Sequence, residues 1–286
     1  MSSPTNGADP ATRVPFDIDH YRVKPGAKLK LDEIDTRETA FWDPDDKDEA
    51  REYLLTLNDR LEALQELLWA QRKERVLVVL QAMDAGGKDG TIRRVFEGVD
   101  PSGVKVAAFK RPTEAELAHD YLWRVHPHVP GDGELVIFNR SHYEDVLVVR
   151  VMDIVPKSRW KKRYDHIRAF EQLLADEGTT IIKLFLHISK DEQRERLQAR
   201  LDEPDKNWKF EEGDLVPRAR WDDYQEAFTD ALTETSTEDA PWYVIPADRK
   251  WYRNLVVSEI LIQSLEGLDM TYPEAAPDIA EMVIPE

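Results

Sequence analysis

The stretch Val76 to Phe96, VLVVLQAMDAGGKDGTIRRVF, reads as strand, tight loop and helix. Val76 to Leu80 is a short apolar run with β-branched Val76, Val78 and Val79, the composition of a strand buried on both faces of a parallel sheet. Asp84-Ala85-Gly86-Gly87-Lys88-Asp89-Gly90-Thr91 then puts three glycines and a lysine where the backbone must turn, and Thr91 to Phe96 resumes with helical spacing. Such a loop ahead of a helix N-terminus can aim backbone N–H groups and the positive end of the helix dipole at a phosphate. The alternative is a tight βα connection with an exposed lysine.

The match to the general phosphate-loop pattern G-x-x-x-x-G-K-[ST] is incomplete. Ala82 stands where the first glycine belongs, and Asp89 replaces the hydroxyl residue that usually helps hold Mg²⁺.

Outward from the loop, strands and helices alternate. Val104 to Phe109, Leu135 to Phe138, Thr180 to Ile188 and Trp242 to Ile245 read as further strands. Helices are expected at Asp45 to Lys73, Ser158 to Glu177, Lys190 to Leu201, Arg218 to Thr233 and Asp248 to Leu265, and Thr113 with Glu116 forms a capping-box signature. This rhythm predicts an α/β fold, a three-layer α/β/α sandwich around a five-stranded, mainly parallel sheet. Residues 1–15 read as a disordered tail, 16–270 as one domain and 271–286 as an acidic tail. Phe16 to Trp42 reads as an extended arm lying on the domain. Leu54, Leu57, Leu61, Leu64 and Leu68 make an apolar stripe that is either core packing or a dimer seam.

Composition narrows the chemistry. Zero cysteines exclude disulfides, thiolate metal sites and a Cys nucleophile, and the seven histidines show no metal-binding spacing, His126 and His128 reading as loop residues. The formal charge of −18 argues against a general nucleic-acid binder. Locally, Lys157 to Arg168 holds six basic residues against Asp165, which fits a confined polyanion better than a duplex. No apolar run approaches a membrane span and Met1 to Pro15 is polar, so a cytoplasmic protein without a membrane partner is expected. Lys110 and Arg111 follow a strand on the edge where open α/β sheets bind ligands, unless they are solvated loop charge. Glu203 to Pro217, between Arg194, Arg196 and Arg200 on one side and Arg218 and Arg220 on the other, reads as a basic lid (about 203–220) or as a long surface loop.

The stretches DAGGKDGT (84–91), AFK (108–110), LWR (122–124), FNRS (138–141) with Tyr143 and Glu144, HIRAFE (166–171), NWKF (207–210), WDDY (221–224) and PADRKW (246–251) together resemble the family-2 polyphosphate kinases, over about Tyr21 to Leu265. The resemblance implies a P-loop kinase fold similar to thymidylate kinase with a lid, and phosphoryl transfer between inorganic polyphosphate and nucleotides. It aligns Asp84, Gly87 and Lys88 with the Walker-A part and Asn139 and Arg140 with the Walker-B part. Many relatives have F-D-R-S; Asn139 to Ser141 and Glu144 look like the subgroup, often called class III, that accepts nucleoside mono- and diphosphates. Gly86 stands where relatives commonly carry Ala, and the glycine is expected to be tolerated because the loop needs little side chain there.

Reaction and inventory agree. A loose phosphoryl-transfer transition state asks for positioning and charge neutralisation, and a phosphate acceptor needs no strong base. Asp84, Lys88, Arg140 and Arg200 are the expected catalytic set. Ala85, Gly86, Gly87, Asp89, Gly90, Thr91, Arg93, Arg94, Lys110, Arg111, Arg196, Lys206 and Lys209 are expected to meet phosphate or polyphosphate. Asn139, Glu144, Trp208 and Phe210 would meet the nucleotide, with Trp221 as a further aromatic near the lid. Asp84 and Asp89 would hold Mg²⁺, with Mn²⁺ as a substitute, because uncharged Asn139 is a poor ligand. The expected activity is reversible transfer from polyphosphate to AMP and ADP, with GMP and GDP as further acceptors, by a homo-oligomer, dimer or tetramer. The rivals are an ATP-dependent nucleoside monophosphate kinase and a nucleotide-binding regulatory module without turnover.

Overall fold

The run Arg75–Ala82 is buried from its second residue to its last, which only an interior strand covered on both faces allows. In chain order the elements are β1 (Arg22–Val23), α1 (Lys47–Gln71), β2 (Arg75–Ala82), α2 (Lys88–Val95), β3 (Val104–Ala108), α3 (Glu114–Leu117), β4 (Leu135–Asn139), α4 (Val148–Val151), α5 (Lys157–Asp176), β5 (Thr179–His187), α6 (Lys190–Asp202), α7 (Leu215–Ala219), α8 (Trp221–Thr235), β6 (Trp242–Pro246) and α9 (Lys250–Glu266). This computed structural model describes residues 16–210, 212–277, 279, 282 and 284–285. The expected tail 1–15 lies outside the described residues, as do Asp278, Glu281 and Glu286 of the expected acidic tail. No described helix is long and apolar enough to cross a membrane.

One sheet in the order β1-β6-β5-β2-β4-β3 organises the domain. β2 pairs in parallel with β4 (Leu80 opposite Asn139) and with β5 (Leu80 opposite Leu184), so the ends of β2 and β4 lie side by side. The chain leaves β2 toward β3 and β4 on one side and later builds β5 and β6 on the other. A crevice forms at such a reversal, outside the carboxyl ends of the strands.

The sheet has six strands where five were expected. The addition, β1, is two residues long and pairs antiparallel to β6, Val23 opposite Trp242. Two residues carry no readable period; what marks the arm is that Phe16, Tyr21, Val23, Leu31 and Trp42 are all buried. The expected helix from Arg218 is divided, α7 ending at Ala219 and α8 starting at Trp221.

α1, α2 and α9 form one helix group, and α4, α5 and α8 another. The leucine stripe belongs to the first. Leu57, Leu61, Leu64 and Leu68 are buried in the core and α1 lies along α9, so the stripe is packing and not a dimer seam. Leu61→Ala should therefore cost about 2–5 kcal/mol in urea unfolding. Oligomeric state by analytical ultracentrifugation should not change; an altered assembly with unaltered stability would reinstate the seam.

Candidate active site

The loop after β2 is shaped by backbone geometry first. Ala85 and Gly87 both take left-handed conformations, φ 59° and 101°, and Gly86 N donates to Met83 O at 2.9 Å. Alternation of this kind turns successive N–H groups into one concavity, which the first turn of α2 continues.

The carbonyls that face away find donors. Lys88 Nζ donates to Ala82 O at 3.1 Å, and Gln193 Nε2 to Asp84 O at 3.0 Å. Arg196 Nη1 donates to Ala85 O and Gly86 O at 3.1 and 3.0 Å, while its Nη2 reaches Ala247 O at 2.6 Å and its Nε reaches Glu192 at 2.7 Å. The guanidinium expected to meet polyphosphate is thus turned onto the loop itself, tying it to the end of β6.

The glycine expected to be tolerated at position 86 is the residue the loop has room for. A Cβ on Gly86 would lie 2.5 Å from Ala82 Cβ and 2.7 Å from Met83 O. The residues at positions 82 and 86 are linked: with alanine at 82, position 86 must stay glycine.

Opposite the loop stands the end of β4. Arg140 has φ 61°, an uncommon conformation for a side-chain-bearing residue that must be held by its surroundings. Its backbone N–H donates to Leu80 O at 3.1 Å and its Nη2 to Asp84 Oδ1 at 2.7 Å. Asn139 Nδ2 donates to Asp89 Oδ1 at 2.6 Å, so the neutral strand-end residue orients a carboxylate. Glu144 lies half-buried beside them; Gln81, its amide turned to satisfy both neighbours, donates to Glu144 Oε1 and accepts from Ser141 N, each at 3.1 Å.

A buried network holds the turn 141–145 in place. Lys183 Nζ donates to Glu171 Oε2 at 2.6 Å and to the Tyr143 hydroxyl at 3.0 Å, and Tyr143 donates to Glu171 Oε1 at 2.7 Å. Burial alone would raise the Glu171 carboxyl, but Lys183 and His142 outweigh it and hold the group below its usual range. Next to Glu144, Asp145 accepts from Arg163 at 2.7 Å, and burial still lifts its carboxyl to about 6.

The charges of the cluster act on one another. Burial, and then Arg140, push the Lys88 ammonium down; Asp84, Glu144 and Asp89 oppose this. Burial raises the Glu144 carboxyl against Arg140 and Lys88. The Tyr224 hydroxyl, pushed up to about 12 by burial, then Glu144 and Asp84, belongs to the same cluster. Asp84, Lys88, Asp89, Asn139, Arg140 and Glu144 are therefore brought together as the sequence predicts. Tyr224, Gln81 and Gln193 join them unforeseen, although WDDY already marked the stretch containing Tyr224.

Other expected residues lie apart. Arg200 Nη1 donates to Lys209 O at 3.1 Å, and Asn207 Nδ2 donates to Arg200 O at 2.7 Å, so this end of α6 fastens the segment 203–210. Lys206 pairs with Glu203, and Trp208 is 78% exposed with Lys209 Nζ over its ring. Phe210 is half-buried. Farther along, Arg218 Nη1 donates to Lys190 O at 2.7 Å and Arg220 donates to Val151 O. Lys110 and Arg111 follow β3 beside Asn139, both exposed.

A groove of about 1070 Å³ opens beyond Gly90 between α1, α2 and α9, with Arg37, Lys47, Arg51, Arg93, Arg94 and Lys250 in its lining. The whole lining holds eight Arg and Lys against five Asp and Glu, a positive surface on an acidic chain. Of the cations expected to meet polyphosphate, only Arg93 and Arg94 line it. The remaining cations of the lining, Arg37, Lys47 and Arg51 on one side and Arg249, Lys250 and Arg253 on the other, come from segments some 200 residues apart, which no local pattern joins.

Comparison with known proteins agrees with this geometry. Residues 44–273 match the family model described as Polyphosphate kinase 2 (PPK2). The chain is 63% identical over 264 residues to the AMP/ADP-polyphosphate phosphotransferase of Meiothermus ruber, covering 92% of this chain and 98% of that protein. It is 47% identical to the ADP-polyphosphate phosphotransferase of Rhodopseudomonas palustris, covering 90% and 92%. The crystal structure of Polyphosphate Kinase 2 from Arthrobacter aurescens TC1 superposes with a TM-score of 0.88 at 41% identity, covering 98% of this chain and 97% of that one.

The contact at position 86 gives a double-mutant test. Gly86→Ala should destabilise by about 1–3 kcal/mol in chemical unfolding, as overpacked sites do. Adding Ala82→Gly should restore much of the loss; strictly additive effects would show that the two positions do not share this space.

Proposed function

The chain belongs to the polyphosphate kinase 2 family, and we propose that its loop site moves phosphoryl groups from inorganic polyphosphate onto nucleoside mono- and diphosphates. It is a phosphotransferase and a polyphosphate-dependent nucleotide kinase, as its relatives are named. AMP and ADP are the acceptors this reading names, with GMP and GDP as further ones and the reverse reaction included. The observation that carries the assignment of roles is the meeting of Lys88, the Asp84–Arg140 pair and Glu144 at the carboxyl ends of β2 and β4.

In this reading the N–H groups of Ala85 to Asp89 cradle the terminal phosphoryl of the donor and Lys88 neutralises its oxygens in flight. The bond to the bridging oxygen of the donor breaks as an oxygen of the acceptor phosphate attacks. The donor leaves one residue shorter. Because the transition state is loose, charge placement does most of the work. Arg140 faces the loop from the acceptor side, and Glu144, Asn139 and Tyr224 shape the space beside it. The groove with Arg93 and Arg94 is where the rest of the donor chain would run, since a polyanion needs spaced cations. Arg200, Lys206 and Lys209 would act from the lid on closing, and Trp208 or Phe210 would reach the base only then.

Asp84 and Asp89 suit Mg²⁺, or Mn²⁺ in its place. Among the described residues no group of three or more His, Asp or Glu could cage a metal. Mg²⁺ takes one or two carboxylates and completes its shell with phosphate oxygens and water, so this sparse donor set fits. When bound, the ion would neutralise phosphate charge. Arg140 and Asn139 hold the two carboxylates in place.

Purified protein with AMP, Mg²⁺ and polyphosphate, and no nucleoside triphosphate, should form ADP and then ATP. Turnover with ATP alone as donor would favour the monophosphate kinase instead. Lys88→Ala should lower kcat by about 10²–10³-fold or more, with cooperative folding kept. Since burial and Arg140 lower the Lys88 pKa, its proton is lost earlier as pH rises. kcat/KM for polyphosphate, which reports the free enzyme, should decline on the alkaline side with an apparent pKa below the ordinary 10.5. Lys88→Arg should flatten that limb at a reduced rate; an unshifted limb contradicts the role of the ammonium.

A further inference from the structure

Arg253, in the first turns of α9, is only 3% exposed. Its Nε and Nη2 donate to Asn254 Oδ1 at 3.1 and 2.8 Å, and among the described residues no carboxylate lies within ion-pair distance of it. Burial, and then the neighbouring Arg196, push its guanidinium down to about 9. A buried arginine without an acid is costly, and two guanidinium groups side by side cost more.

The position explains what the charge is for. A Cβ on Gly87 would fall 2.2 Å from Arg253 Nη1 and 3.3 Å from Arg196 Nη1, so Gly87 leaves the room in which the Arg253 guanidinium sits. Arg253 Nη2 is 3.9 Å from the corresponding point on Gly90. The same arginine lines the groove with Arg93, Arg94 and Lys250. It therefore stands where the groove meets the phosphate loop. Arg196 directs both Nη groups to carbonyls, whereas the Arg253 side chain donates, among the described residues, to the side chain of Asn254 alone.

We propose that Arg253 is a donor-binding residue, placed at the junction of groove and loop to contact the phosphates of the polyphosphate chain next to the one transferred. The assignment rests on polyphosphate being the donor. The missing counter-charge is supplied by the ligand, so the free protein bears the unfavourable burial and the complex relieves it. This separates a binding role from a packing role, because a packing arginine stabilises the free protein too.

The test uses the full chain with Arg253→Met, which keeps an unbranched side chain and removes the charge, and Arg253→Lys. The melting temperature is read with and without tripolyphosphate, and KM for polyphosphate, AMP and ATP is measured. R253M should melt at or above the wild-type temperature without ligand and lose most of the rise that tripolyphosphate gives the wild type. KM for polyphosphate should increase by about tenfold or more while KM for AMP stays, and R253K should fall between. A free R253M protein that melts lower while KM for polyphosphate is unchanged makes Arg253 a packing residue and overturns the proposal. An R253M protein that matches wild type in every readout does the same. If the wild type turns over only with ATP, the polyphosphate donor itself is refuted, whichever way R253M behaves.

Discussion

A loop that offers its N–H groups to a phosphate must turn its carbonyls elsewhere, and each needs a donor of its own. In this protein the donors are side chains. Lys88 serves Ala82, Gln193 serves Asp84, and Arg196 serves Ala85 and Gly86 together. Two of these residues come from α6 and one from the loop's own helix. The shape of the site is therefore set by groups more than 100 residues away in sequence, and α6 carries at its other end the Arg200 that fastens the segment 203–210. A displacement of α6 would be felt in the loop and in that segment at once.

Much of this was legible in order of sequence distance. β2, its loop and α2 follow one another, and apolar runs, glycines and helical spacing are local signals. The same holds for the leucines of α1 as an amphipathic stripe, but not for what they face. Only α9, which supplies Tyr252, Leu255 and Ile262 to the same core, shows that they turn inward. β1 leaves no mark in the sequence because two residues have no period, and Arg196 reads as a cation near phosphates without the carbonyls that claim it. Arg253 follows the matched stretch PADRKW by two residues and carries no motif of its own. Its environment, a deep position where no described carboxylate lies within ion-pair distance, exists only once α9 is packed against α2.

Charge is arranged in two different ways within one acidic chain. Lys183 and Glu171 are buried as a complete pair, each satisfied by the other and by Tyr143, and they hold the turn that carries Glu144. At the loop, Lys88, Arg140, Asp84 and Glu144 are close but unevenly matched, and burial leaves the Lys88 ammonium lowered and the Glu144 carboxyl raised in spite of their neighbours. The first arrangement fixes geometry. The second keeps the site responsive to an incoming anion, whose negative charge stabilises the protonated Lys88 that burial disfavours.

The contact between Ala82 and Gly86 also bears on how such a loop can change over generations. Only one of the two positions can carry a methyl without the backbone shifting, so a chain with alanine at both is strained. Passage between the two arrangements runs instead through a chain with glycine at both, whose penalty is only the extra freedom of the unfolded loop, roughly 0.5–1 kcal/mol. The order of steps is thereby dictated: the old methyl must be lost before the new one is gained.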